Sequence, residues 1–164
     1  MLINYSVGDC RPFWKKMIEF SLQIGTRIIR AILPELKKFF VVSPEFEDYT
    51  QVFPDQDDVD FNEAWIEGLA NDAKSDRSAL ARFLESPRLQ YGRVEVKEED
   101  IDDLLRGITE LRFTIRKTSL KNFDDSVLEC GMDNLNLKDE SVRIGYFGYL
   151  LLAEVQEKII CEIA

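Results

Sequence analysis

The chain has 164 residues, 45% hydrophobic and 32% charged, with a formal net charge of −10. That is the size of one ordinary domain with enough apolar material for its own core, so 1–164 is expected to fold as a single domain. The acid excess argues against a general nucleic-acid surface, which needs basic residues to displace counterions from phosphate, and the absence of histidine removes imidazole as base, metal ligand or pH switch.

Residues 2–7 read as a short strand. Asp9, Cys10, Arg11 and Pro12 follow as a turn, with Pro12 suited to a first helical position. A long helix is expected over 13–40, with Trp14, Met17, Ile18, Ile24, Ile28, Ile29, Ile32 and Leu36 as its stripe and Pro34 kinking or ending it near Leu33. From Arg11 to Phe40 there are seven basic residues and two acidic ones. The sign then reverses in SPEFEDYTQVFPDQDDVDFNEAW. Phe53-Pro54-Asp55 reads as a turn, and Asp60 as the N-cap of a helix over 61–85 with Ile66, Leu69, Ala73, Leu80 and Leu84 in its stripe.

Residues 89–96, LQYGRVEV, alternate well enough for a strand that could pair with the N-terminal one. The next segment, EEDIDDLLRGITELRFTIRKTSL, carries the clearest helical pattern. Ile101, Leu104, Leu105, Ile108, Leu111 and Ile115 recur at i, i+3, i+4 spacing, with acid at the start and base at the end, as the helix dipole favours. Residues 121–138 read as an irregular crossover. A last helix is expected from the N-cap Asp139 to the C-terminus, lined by Tyr149, Leu152, Val155, Ile159 and Ile163, with Gly145 and Gly148 allowing a close helix approach. The expected fold class is mainly α: a bundle of about four long helices, with room for a short two-stranded β pair. The core should hold Ile28, Ile32, Leu69, Leu80, Leu104, Leu105, Ile108, Leu111, Ile115, Leu152, Val155 and Ile159.

Three segments, taken in order, resemble one bacterial family: Val52-Phe53-Pro54-Asp55 with its acidic run and the helix containing Trp65; Leu104 to Arg112, LLRGITELR; and YLLLAEVQEKI, with Tyr149, Leu152, Val155, Gln156 and Glu157. In the family the corresponding features are an FPDAY-like turn, a WLRALNDLRL-like helix and a terminal helix similar to YDWLTWLQE. The family was long catalogued as a domain of unknown function and includes the actinobacterial oxidative-stress regulator AosR. Here Gly107-Ile108-Thr109-Glu110 replaces the usual Ala-Leu-Asn-Asp, which marks a distant member. The resemblance implies a cytoplasmic regulator rather than an enzyme. The named member is understood to sense oxidants through cysteine and to act with an alternative sigma factor.

Candidate sites follow from residue type. Arg112 lies on or beside an apolar stripe, so its guanidinium needs a partner. Glu157 or Gln156 on the last helix can supply one, and an Arg112–Glu157 pair between helices is expected. The three cysteines, Cys10, Cys130 and Cys161, are far apart with no CxxC, which fits a reducing compartment. Cys10, beside Arg11, Lys15 and Lys16, is the best redox-thiol candidate. Cys130 is the second, although Glu129 beside it disfavours thiolate, and Cys161 should pack as a small hydrophobe. Three unreactive reduced thiols are the simpler reading.

Asp55, Asp57, Asp58 and Asp60 lack the glycine and terminal glutamate of a calcium loop, so capping and solvation explain them. The basic first helix could meet an anionic surface, but its charges are better explained by the acidic segment after it. Surplus aromatics there, Phe13, Trp14, Phe20, Phe39 and Phe40, suit a subunit interface. Asp102 and Asp103 do not face one another on a helix, which makes a poor acid/base dyad, and Arg106 at i+4 can neutralise Asp102.

No catalytic residue, metal or cofactor is expected. Neither a signal peptide nor an apolar run long enough for a bilayer is read in the chain. The leading function is a non-catalytic regulatory module that binds a protein partner, transcription machinery by resemblance. A homodimer is compatible with this, and direct nucleic-acid or membrane binding is not expected. A thiol sensor working with a sigma factor is the alternative, and an enzyme using carboxylates or lysine comes last.

Overall fold

The computed structural model describes residues 16–41, 59–131, 135 and 137–164. In chain order they form strand β1 (Met17–Ser21), helices α1 (Thr26–Val41) and α2 (Val59–Leu84), a 3-10 turn (Leu89–Tyr91), strand β2 (Arg93–Lys97), a second 3-10 turn (Glu98–Asp100), and helices α3 (Ile101–Lys117), α4 (Asp125–Glu129) and α5 (Glu140–Ile163). The fold is mainly α with four long helices and a short antiparallel β pair, as expected from the sequence.

Helix α3 sits at the centre and packs against α2, α5 and α1. Its apolar stripe forms because Ile101, Leu104, Ile108, Leu111 and Ile115 share one face and are all buried. Burying each such side chain stabilises the fold by about 1.5–3 kcal/mol relative to leaving it in water. Two contacts fix the α3/α5 orientation. Gly145 lies against Ser119 and Gly148 against Ile115, while Gln156 reaches Leu105 and Thr109. The two helices therefore run antiparallel. A Cβ on Gly145 would sit 2.5 Å from the Ser119 Cβ, and one on Gly148 would sit 2.8 Å from Leu36 Cδ2. The close approach expected at these two glycines is thus present. Asp139 caps α5, its Oδ1 accepting from the Ser141 and Val142 amides at 2.9 and 3.4 Å.

Several expectations are corrected. The helix expected over 13–40 begins only at Thr26, and Met17–Ser21 is a strand. In it Ile18 and Phe20 turn inward while Met17, Glu19 and Ser21 face out, a period of two rather than 3.6. This strand pairs with Arg93–Lys97 in the register Ile18↔Val96 and Phe20↔Val94, and the strand expected over 2–7 lies outside the described residues. Pro34 does not end α1, which continues to Val41. Proline removes one N–H and its bond, but buried Ile29, Ile32, Leu33 and Leu36 hold the helix on both sides of it.

Asp60 lies inside the first turn of α2 rather than capping it, and the crossover over 121–138 contains the short helix α4. Of the expected core, Ile32, Leu80, Leu104, Ile108, Leu111, Ile115, Leu152, Val155 and Ile159 are buried. Ile28 and Leu105 are half-buried against it, and Leu69 is half-buried on α2. Ile163 is exposed although its spacing placed it on the apolar side of α5.

Candidate functional site

Two of the three segments quoted above, residues 104–112 on α3 and 149–157 on α5, meet along the α3/α5 seam, while residues 52–55 lie outside the described residues. Arg112 donates from Nη1 to Gln156 Oε1 at 2.6 Å. Its guanidinium lies 4.3 Å from the centre of the Tyr149 ring, within cation–π range. The Gln156 amide nitrogen in turn donates to Thr109 Oγ1 at 2.7 Å and to the Leu105 carbonyl at 3.2 Å. Arg112 thus crosses to the last helix, but its partner is Gln156. Glu157, one position on, turns into solvent and makes no ion pair with Arg112. On a helix, adjacent positions point about 100° apart, so only one of the two can face α3. Arg112 Nε is buried with no hydrogen-bond partner. The cluster joins two helices and holds a cation without a carboxylate.

A second polar group, missed in the sequence, ties α2 to α3. Asp76 is 8% exposed and is the buried charged residue of the described core. Arg106 donates from Nε to both of its carboxylate oxygens, at 3.1 and 3.2 Å, and from Nη2 to Asp103. Arg106 therefore neutralises Asp103 and Asp76 rather than Asp102. Burial pushes the Asp76 carboxyl above its ordinary value, and Arg106 opposes that rise without cancelling it. A signal was present: Asp76 falls between Ala73 and Leu80 in the α2 stripe, where an apolar residue would be expected.

Elsewhere the Glu154 carboxylate on α5 accepts from the Gln23 and Ile24 amides and pins the entry to α1. Arg116 donates to the Leu120 and Phe123 carbonyls and closes the turn after α3. Two depressions are shallow. A crevice of about 20 Å³ beside Phe40, Arg77, Gly107 and Glu110 has room for about one water. A wide-open hollow of about 340 Å³ lies between Glu35, Lys38, Ser119 and Glu140. Among the described residues no group of three or more His, Cys, Asp or Glu could hold a metal ion, and no helix is long and apolar enough to cross a membrane.

Of the thiols, Cys10 lies outside the described residues. Cys130 and Cys161 are both free and exposed. Cys161 therefore does not pack as a core residue, because it sits on the solvent side of α5 beyond buried Ile159. The acidic positions Asp55, Asp57 and Asp58, and the aromatics Phe13 and Trp14, also lie outside the described residues.

The surface carries two further features. Phe113, Ile160 and Ile163 on α3 and α5 are 57%, 52% and 49% exposed. On α1 the exposed face carries Arg27, Arg30 and Lys37, with Tyr91 next to Arg30.

No family profile, curated protein or solved structure matches this chain.

Proposed function

We propose that this protein is a non-catalytic cytoplasmic regulatory module that works by binding another protein, in the manner of the AosR-containing family it resembles. The observation that carries this reading is the outer surface of α3 and α5. These helices bury Ile108, Ile115, Leu152 and Ile159 fully, yet leave Phe113, Ile160 and Ile163 about half in water. Their bulk is surplus to the core, and the Lys117 ammonium lies 4.3 Å from the Phe113 ring centre. Protein interfaces are enriched in exposed aromatic residues of this kind.

The second reading, a thiol sensor acting with a sigma factor, is favoured by one observation: Cys130 and Cys161 are open to oxidants. One experiment separates the two. The reduced and the peroxide-treated protein are used as bait in lysate of the host, and captured proteins are identified by mass spectrometry. The binding-module reading expects the same partner from both baits. A partner seen only with oxidised bait, and lost in Cys130→Ser, would replace it with the sensor. No specific partner from either bait would end both readings.

A further inference from the structure

We infer that the exposed face of α1, with Tyr91 beside it, docks an acidic peptide segment of a partner protein; this deepens, and rests on, the binding-module reading. Arg27, Arg30, Pro34 and Lys37 follow at i, i+3, i+7 and i+10 and all are exposed. They form one straight strip, about 15 Å long at the helical rise. The opposite face buries Ile29, Ile32, Leu33 and Leu36, so the strip is held facing solvent and no ordering of the helix is needed on binding.

Its cations, Arg27, Arg30 and Lys37, have no ion pair among the described residues, and the acid on this helix, Glu35, holds Lys38 at 2.9 Å. Elsewhere Arg82 pairs with Asp100, Arg88 with Glu95 and Arg106 with Asp76 and Asp103, while exposed Arg93 and Arg143 stand singly rather than together on one face of a helix. On a chain of net charge −10, three unmatched cations on one helix face form a local field of opposite sign, which recruits anions.

Tyr91 supplies an apolar contact at the same place. It is 60% exposed, with the Arg30 guanidinium 5.1 Å from its ring centre. Gly92, at φ 76°, packs against Thr26 and Ile29 of α1 and fixes the turn that presents it.

The charge pattern favours a peptide over nucleic acid. Glu19 stands on the outward face of the β pair, opposite Glu95, which is already paired with Arg88, and the molecule as a whole is acidic. A phosphate polymer extends its charge well past the strip and over a surface of net charge −10, which repels it. A short acidic segment can place its carboxylates on Arg27, Arg30 and Lys37 and an apolar side chain on Tyr91.

The test measures fluorescence anisotropy of a labelled oligo-glutamate peptide carrying one phenylalanine, titrated with the full-length protein. Matched arms use the glutamine counterpart of the peptide, labelled oligo(dT) and anionic phospholipid vesicles. The glutamate peptide is expected to bind best and to weaken as salt rises. Arg27→Glu/Arg30→Glu/Lys37→Glu should weaken it by about 10-fold or more, and the milder triple glutamine variant by less. Tyr91→Ala should cost roughly 3- to 10-fold with all charges kept. Circular dichroism and Tm confirm folding of each variant.

Equal binding by the glutamine peptide, tighter binding of oligo(dT) or vesicles, or indifference to the α1 variants would overturn the proposal. Should the acidic peptide fail while lysate capture persists and depends on Phe113 and Ile160, the strip is wrong and the binding-module reading stands.

Discussion

At the scale of single residues, the polar groups between helices decide the most. Gln156 satisfies Arg112 while spending its own amide on Leu105 and Thr109. Removing it leaves a half-buried guanidinium without a hydrogen-bond acceptor, at a cost of about 1–3 kcal/mol. Gln156→Ala should therefore lower the urea midpoint clearly, whereas Glu157→Ala should change stability by less than about 0.5 kcal/mol, as for ordinary surface positions. Equal losses would show that Glu157 shares the guanidinium. Arg112 was legible in the sequence as a cation needing a partner on the last helix. Which of two adjacent residues it meets was not, because that depends on the rotation of α5 about its axis.

Asp76 sets a pH dependence. Its folded pKa lies above the ordinary value near 3.8 because burial disfavours the carboxylate. Between the two values the folded state binds more proton than the unfolded one, so this group's contribution to stability falls as pH rises through that window. Below the window both states are protonated and the contribution is fully present. Urea unfolding of wild type and Asp76→Asn over a pH series should show the wild type losing ground to the variant as pH rises from about 3.8, the ordinary carboxylate value. A gain over that range would mean that Arg106 outweighs burial.

At the scale of elements, the bundle depends on close approaches at glycine. Gly107 on α3 faces α2, where a Cβ would come within 2.8 Å of the Asp76 carbonyl oxygen and 3.2 Å of Leu80 Cβ. At Gly148 the one close approach is to the end of the Leu36 side chain, at 2.8 Å, with the Ile115 tip at an ordinary 3.7 Å. A side-chain tip can turn aside and a helix backbone cannot. Gly107→Ala should thus cost about 1–3 kcal/mol even after the gain in helix propensity, and Gly148→Ala should cost less. Chemical denaturation of the two variants gives the order directly. The four long helices were legible because their stripes run over many turns. The strand Met17–Ser21 was not, because MIEFS is too short for its alternation to stand out from the helical stripe that follows. Its pairing with Arg93–Lys97 is a contact between distant parts of the chain, which no local pattern records.

At the scale of the whole molecule, two surfaces remain once the core is accounted for. One is the basic face of α1 with Tyr91, and the other is the apolar surplus of α3 and α5. The sequence foresaw a basic helix and expected its charges to be absorbed by the acidic segment after it. Residues 42–58, which hold most of that acid, lie outside the described residues; among those described, Arg27, Arg30 and Lys37 are exposed and have no ion partner. The sequence could not show which bulky residues of α3 and α5 would be left over, because Ile159 is fully buried while Ile160, its neighbour, is not. The rotation of each helix decides this.

The central claim is that this molecule acts by binding another protein through its own surface. The most direct measurement compares host proteins captured by wild type with those captured by Phe113→Ser/Ile160→Ser, after confirming that the two share the same Tm. One specific partner is expected, stoichiometric with wild type and reduced about 10-fold or more with the variant, as when interface anchors are truncated. A partner retained equally by both would take the contact away from Phe113 and Ile160, and no partner at stoichiometric level with wild type would contradict the binding itself.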